Sequence, residues 1–436
     1  MARSRRPEPT RPLPAVPRVL FVILACYLVI AIAYSLATRL RWGPDEPGHI
    51  AYIESLALDG RFPALGAADI YRPGAAISHQ VQHPPLYYLA AAAVYRAARL
   101  LPEDGRIRVL RAFSALLGVL SLWLLWLLTG LTFPGRSAAR LAAVALLAFL
   151  PMFGYMSGVV NNDALVLPLC LGTLYVTGTI VVGDRALRRH LLAGLLAGLA
   201  VFTKEVALAL LPVTLVAVMV PRRDDGLPLR RRLAGAALIA VVALAIPAVW
   251  WARNLVVSGH PVVYAYVKPP FQSLGELLAT PGVAAHIALV WARLSFITLW
   301  APFWAMKGVI SLPAYTGVTA SVTAIVCLGL VLLLRDQMRR AKPLAATQVR
   351  LVALTLAFPC LVAAGVLRYT LFVDFRTVEG GRYILVAWPC LAVLITAALE
   401  HIAGRFRTVI LAVAVGLWLM GDLTVLWAVG RTYGVW

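Results

Sequence analysis

Six short polar motifs interrupt an otherwise apolar chain. They are Pro44-Asp45-Glu46-Pro47 with His49, His83-Pro84-Pro85-Leu86-Tyr87-Tyr88, Asn161-Asn162-Asp163, Thr203-Lys204-Glu205, Trp251-Ala252-Arg253-Asn254 and Gly381-Arg382-Tyr383. Asp45 precedes a helix whose first turn carries Pro47, which suits a helix cap. It equally suits a carboxylate that takes a proton from an attacking hydroxyl or amine. A cap needs neither the adjacent Glu46 nor His49 one turn along the same face. The helix start also favours an anion such as a phosphate beside it. His83 stands before two prolines that force an extended entry into the next helix; it is either a surface histidine at a turn or a contact to a phosphate or sugar. Asp163 opens an apolar run, as a cap or as the second acid of one site. Lys204 and Glu205 could pair with each other at the membrane edge or belong to that site. Arg253 and Arg382 fall at span ends, where arginine commonly snorkels. Together with Lys204 they could neutralise one phosphate, as a lipid-phosphate leaving group requires.

The elements that must position these residues follow from composition. The chain has 436 residues, 61% hydrophobic and 14% charged, against roughly 45–50% and 25% in soluble domains. That excludes a cytosolic globular enzyme, a disordered protein and a secreted disulfide scaffold. Long apolar runs exclude an outer-membrane barrel. The net charge of +21 comes from short clusters between the runs, so it reads as an orientation signal and not as nucleic-acid binding. Cys26, Cys170, Cys327, Cys360 and Cys390 all lie inside apolar runs, without a CxxC, and read as core residues.

Runs long enough to span, at about 20 residues each, lie near 19–38, 109–131, 138–158, 163–183, 190–203, 205–221, 233–252, 314–334, 349–370, 383–402 and 408–428. The prediction is an all-α polytopic membrane protein with about eleven transmembrane helices, within a range of 11–13. Residues 1–18, with Arg3, Arg5, Arg6, Arg11 and Arg18, form a basic cytoplasmic N-terminus ahead of a retained first helix. Alternation then puts Arg136 and Arg140, Arg185 to Arg189, Arg222 to Arg232, Arg335 to Lys342, and Arg405 with Arg407 on the cytoplasmic side. The run 286–304, broken by Arg293 and flanked by Lys307, would upset this parity and is read as re-entrant or interfacial. The rest, 19–436, is one transmembrane domain with extracytoplasmic segments 39–108 and 253–312 and no soluble C-terminal domain. Within 39–108, helices from Pro47 to Leu58 and from Pro85 to Leu101 should lie in the interface. All six polar motifs then emerge at one face. Ionisable groups at membrane depth mark functional sites by default.

Other chemistries are not supported: the chain has no P-loop, no GxGxxG after a strand, no HExxH and no GxSxG. The acids and histidines leave room for a divalent ion, but their spacing matches no standard ligand pattern, so no metal ligand and no cofactor is assigned.

The Asp-Glu pair after the first span, the His-Pro-Pro-Leu-Tyr-Tyr of the first loop, the Asn-Asp at a later span and the Gly-Arg-Tyr before the last helices resemble the GT-C superfamily of membrane glycosyltransferases. The resemblance points to the bacterial lipid-carrier-dependent branch, with protein O-mannosyltransferases and aminoarabinose transferases of lipid A. It covers most of 19–402 and implies an inner-membrane, multi-pass enzyme. Such an enzyme moves a sugar from a polyprenyl-phosphate donor to an acceptor on the extracytoplasmic face. Asp45 matches the first-loop carboxylate that acts as or beside the catalytic base, and Glu46 completes the pair. Asp163 matches the second acidic position. His83 stands where a basic residue often precedes the prolines. Lys204, Arg253, Arg382 and Tyr383 are implied donor-phosphate contacts, with His49 and Glu205 as further substrate contacts. A single base and one displacement predict inversion at the anomeric carbon, unlike paired-carboxylate retaining chemistry. The competing readings are a flippase or transporter of lipid-linked sugars, a ligase of whole lipid-linked glycans, and a non-catalytic assembly subunit. The sugar and the glycan, lipid or protein acceptor stay open.

Overall fold

In hydrocarbon, backbone N–H and C=O groups find no water, so apolar runs of this length satisfy themselves as helices. The computed structural model describes residues 16–63, 80–221, 227–262, 271–302, 311–339, 346–373 and 380–435. Among these no strand occurs. Arg3, Arg5, Arg6, Arg11, Arg222, Arg223, Lys307, Arg340 and Lys342, invoked above for orientation, lie outside the described residues.

Helix α1 (Arg18–Ala37) leads into the first loop. The loop carries α2 (Glu46–Glu54), which loosens into a π-turn at Ser55–Asp59, and α3 (Leu86–Ala97). The bundle continues with α4 (Glu103–Thr132), α5 (Ser137–Ala148), α6 (Pro151–Ser157), α7 (Asp163–Val182) and α8 (Leu187–Val201). A 3-10 turn at Glu205–Ala209 starts α9 (Leu210–Met219). Then come α10 (Leu229–Ser258), α11 (Leu274–Ala279), α12 (Pro281–Trp300), α13 (Leu312–Met338) and α14 (Ala346–Phe372). A 3-10 stretch at Gly380–Ala387 enters α15 (Trp388–Ala403), and α16 (Arg407–Thr432) closes the chain. Every run read as a span falls on helix. Among the described residues, eight helical segments are long and apolar enough to cross a membrane, or nine when the α5–α6 pair, bent by 59°, counts as one. The bend has a local cause: Pro151 lacks an N–H and cannot continue the α5 ladder. It lets α6 turn against α1, where a Cβ on Gly158 would stand 2.9 Å from the Ser35 nitrogen.

Polar contacts sort the helix termini into two ends. At one, Arg136 Nη1 donates to Glu400 (2.9 Å), Arg350 donates to the Pro221 carbonyl (2.7 Å), and His401 faces Asp336 at 3.3 Å. At the other, Arg382 reaches Asp45, Tyr433 donates to the Trp42 carbonyl (3.1 Å), and Arg253 lies over the Phe62 ring. This second end is the site end. Helix α10 finishes there and α13 starts there. Helix α12 itself meets the length and composition of a span. Its C-terminal half runs beside 380–388, with the Gly381 N–H donating to Thr298 Oγ1 (3.1 Å) and the Trp388 indole to the Leu299 carbonyl (2.9 Å).

The close approach at Gly381 sets the position of Arg382. A Cβ there would collide with the backbone of Ser295 and Leu299. Gly381→Val is expected to cost about 1–3 kcal/mol through overpacking and to displace Arg382. Thermal unfolding in detergent checks this; a wild-type unfolding temperature would remove Gly381 as the positioning contact.

Candidate active site

The site is built on a buried ion pair that holds the first loop. Arg111, in α4, and Glu46, at the start of α2, are both 0% exposed. Arg111 spends all five N–H groups: Nε and Nη2 donate to Glu46 Oε1 (2.8 Å) and Oε2 (2.7 Å), Nη1 to the Ser35 and Thr38 carbonyls (2.6 and 2.8 Å), and Nη2 again to the Arg39 carbonyl (2.9 Å). Those carbonyls belong to the end of α1, where helical partners run out. Each Glu46 oxygen accepts a second bond, Oε1 from Val160 N–H (3.0 Å) and Oε2 from Gly43 N–H (3.1 Å). With both oxygens occupied and no exposure, Glu46 has no lone pair for substrate. The sequence reading of Glu46 as a catalytic partner of Asp45 therefore gives way to an anchoring role.

Asp45, one residue earlier, is held differently. Its φ is 55°, in the left-handed region, and its side chain caps nothing. The capping alternative is thereby replaced: the carboxylate, 42% exposed, accepts from Arg382 Nη2 at 2.6 Å. The same Nη2 donates to Tyr383 Oη at 2.8 Å. Burial would raise the Asp45 pKa, but Arg382, with His49 and His83, pulls it below the ordinary carboxylate value.

Lys204 does not pair with Glu205. Its Nζ donates to Asp163 Oδ1 at 2.6 Å and lies 5.3 Å from the Tyr383 ring centroid. His49 Nδ1 and Tyr88 Oη are 2.9 Å apart, and the His49 ring stacks on His83 with centroids 6.4 Å apart. These histidines sit outside the spanning helices. Burial first, and Lys204 and Arg382 as well, press His49 down to about 4 against the opposing pull of Asp45 and Asp163. His83 is lowered further by burial, Lys204 and His49. Both imidazoles are therefore neutral at pH 7 and can donate or accept hydrogen bonds without adding charge.

Seven of the predicted residues thus converge: Asp45, His49, His83, Asp163, Lys204, Arg382 and Tyr383. Arg253 stays at the rim, over Trp250 (4.5 Å) and Phe62 (5.7 Å), and interacts electrostatically with Tyr52, which stacks on Tyr88 at 3.9 Å. Glu205 Oε1 is buried and has no hydrogen-bond partner among the described residues. Beside Pro44 and Arg382 opens a cavity of ≈ 510 Å³, lined among others by Trp42, Met152, Met156 and Tyr433. Among the described residues no group of three or more His, Cys, Asp or Glu could hold a metal, and Asp45 and Asp163 are each committed to a cation. Sequence reasoning missed Arg111. Its signal was present: an arginine two positions inside an apolar run, unpartnered by any nearby acid.

The family described as dolichyl-phosphate-mannose-protein mannosyltransferase matches residues 82–251. No curated protein matches in sequence. Among solved structures, the Archaeoglobus fulgidus oligosaccharyltransferase in the apo form shares the fold at a TM-score of 0.51 and 14% identity, over 95% of this chain and 55% of that one. The same protein in complex with Zn and sulfate matches at 0.47, with 14% identity over 94% and 53%. ArnT from Cupriavidus metallidurans bound to undecaprenyl phosphate matches at 0.44, with 18% identity over 90% and 79%. The resemblance read from the sequence is met by the family model over residues 82–251 and by the fold shared with the archaeal structure at a TM-score of 0.51.

Removing one partner of a buried pair strands the other, at about 3–5 kcal/mol. Arg111→Met is therefore expected to lower the unfolding temperature in detergent far more than Arg382→Ala does. Equal losses would mean that the buried pair is not the anchor. The histidines give a pH test. The unfolded chain takes a proton at His49 near 6.5, the folded chain only near 4, so the folded state loses stability as pH falls between those values. The drop in unfolding temperature from pH 7 to pH 5 should be smaller in His49→Gln than in the parent; an equal drop would show that His49 is not held neutral.

Proposed function

We propose that the chain transfers a sugar from a polyprenyl-phosphate donor to an acceptor at the extracytoplasmic face of the inner membrane, with Asp45 as general base. The observation that carries this reading is the pairing of Asp45 with Arg382, 337 residues apart in sequence, beside Lys204 and Tyr383. A base and phosphate-binding cations at one membrane edge are the parts a glycosyl transfer from a lipid phosphate needs. The family match supports a polyprenyl-type phosphate donor.

The acceptor's hydroxyl or amine attacks the anomeric carbon while Asp45 takes its proton. The bond from that carbon to the phosphate oxygen breaks, and its electron pair leaves with the phosphate. Arg382 and Lys204 meet the charge that grows there, and Tyr383 holds Arg382 in place. His49, His83 and Asp163 present neutral and anionic hydrogen-bonding groups to the sugar. A single displacement inverts the anomer. Clustering of charge at one end favours this over a lipid-linked sugar transporter, whose ionisable groups tend toward the bilayer midplane.

Asp45→Asn is expected to lower transfer by at least about 10²-fold while the protein remains in the membrane fraction. The assay follows release of polyprenyl phosphate from a lipid-linked sugar; near-parent turnover would remove the base role. A product of retained anomeric configuration, read by NMR, would overturn the single displacement.

A further inference from the structure

We propose that the donor's phosphate competes with Asp45 for Arg382, so that donor binding is what releases the base. This rests on the reading above and adds an order to it: the acceptor meets a free Asp45 only after the phosphate has arrived.

Two ion pairs make up the charged part of the site, and each joins one cation to one carboxylate: Arg382 to Asp45 and Lys204 to Asp163, both at 2.6 Å. Among the described residues these pairs are balanced, one carboxylate to each cation. An incoming anionic phosphate must share a guanidinium with a carboxylate, and like charges on one cation oppose each other. The pair most open to exchange is the one at Asp45, whose side chain is 42% exposed while that of Asp163 is 12% exposed. Tyr383 Oη, 2.8 Å from the same Nη2, keeps the guanidinium in place when the carboxylate departs. Asp45 loses the partner that suppresses its basicity at the moment when a base is needed. The same contact keeps the base occupied while the donor site is empty, which limits idle chemistry with water.

The test is a binding titration of full-length protein in detergent with undecaprenyl phosphate, using undecaprenol as the uncharged control. Asp45→Asn removes the competing charge and keeps a residue that tolerates the left-handed backbone. It should bind the phosphate about two- to fivefold more tightly, the range an exposed ion pair spans, with undecaprenol binding unchanged. Asp45→Gly, also suited to that backbone, should give the same sign. In an Arg382→Ala background Asp45→Asn should change nothing, because the shared cation is gone. Unchanged or weaker phosphate binding in both Asp45 variants overturns the proposal, as does an equal gain without Arg382. Tighter binding together with near-parent sugar transfer would remove Asp45 as base and leave the competition standing, so the two readings fail separately.

Discussion

The geometry of the site rests on a guanidinium with no free hydrogen. Arg111 joins the end of α1, the turn at Gly43–Glu46 and, through Glu46, the backbone at Val160. A buried ion pair is weak evidence for net stability, because desolvating both charges offsets much of their attraction. What the pair provides is geometry. A planar donor set of fixed angles meets a carboxylate and three carbonyls, and an ammonium could not satisfy them all. Three chain segments are thereby locked at the membrane edge, and Asp45 is the next residue along.

That locking explains how adjacent acids take different roles. The left-handed backbone at Asp45 sends its side chain away from the capping position, while Glu46 points into the protein. A non-glycine residue in that region is uncommon and marks a site where surrounding structure over-determines the backbone. Here the surrounding structure is the Arg111–Glu46 pair on one side and Arg382 on the other. The neutral imidazoles follow the same economy. With two cations already matched to two carboxylates, a protonated histidine would be a third positive charge in a buried place, and burial prevents it.

The sequence carried the helices and most of the site, for a physical reason: hydrocarbon demands uninterrupted apolar runs, so exceptions such as Lys204 and Arg382 stand out. Pairing was not legible. Lys204 could have paired with its neighbour Glu205 or joined the site; it reaches across to Asp163 on α7, from an extended backbone just before the 3-10 turn that starts at Glu205. Nor could the acids of Asp45-Glu46 be ranked without knowing that Arg111, placed two residues inside a predicted span, turns toward the first loop. Arg253 shares its residue type and span-end position with Arg382. It differs only in which helix neighbours it, and that is a tertiary fact.

The site is also a contact between the two ends of the chain. Tyr34 of α1 donates to Asp422 of α16 at 2.8 Å, Tyr433 donates to the Trp42 carbonyl, and Arg382 closes on Asp45. All three span more than 330 residues of sequence, and loop-closure entropy must be met before such contacts contribute. The anchor at Arg111–Glu46 spans only 65 residues, and the Val160 bond to Glu46 spans 114. Asp45 thus stands between an anchor made within the early helices and an ion pair that reaches across 337 residues of sequence. Anchoring and charge matching are therefore separable: the Arg111–Glu46 pair holds the backbone beside Asp45, and Arg382, ahead of the last two helices, supplies the charge that faces its carboxylate.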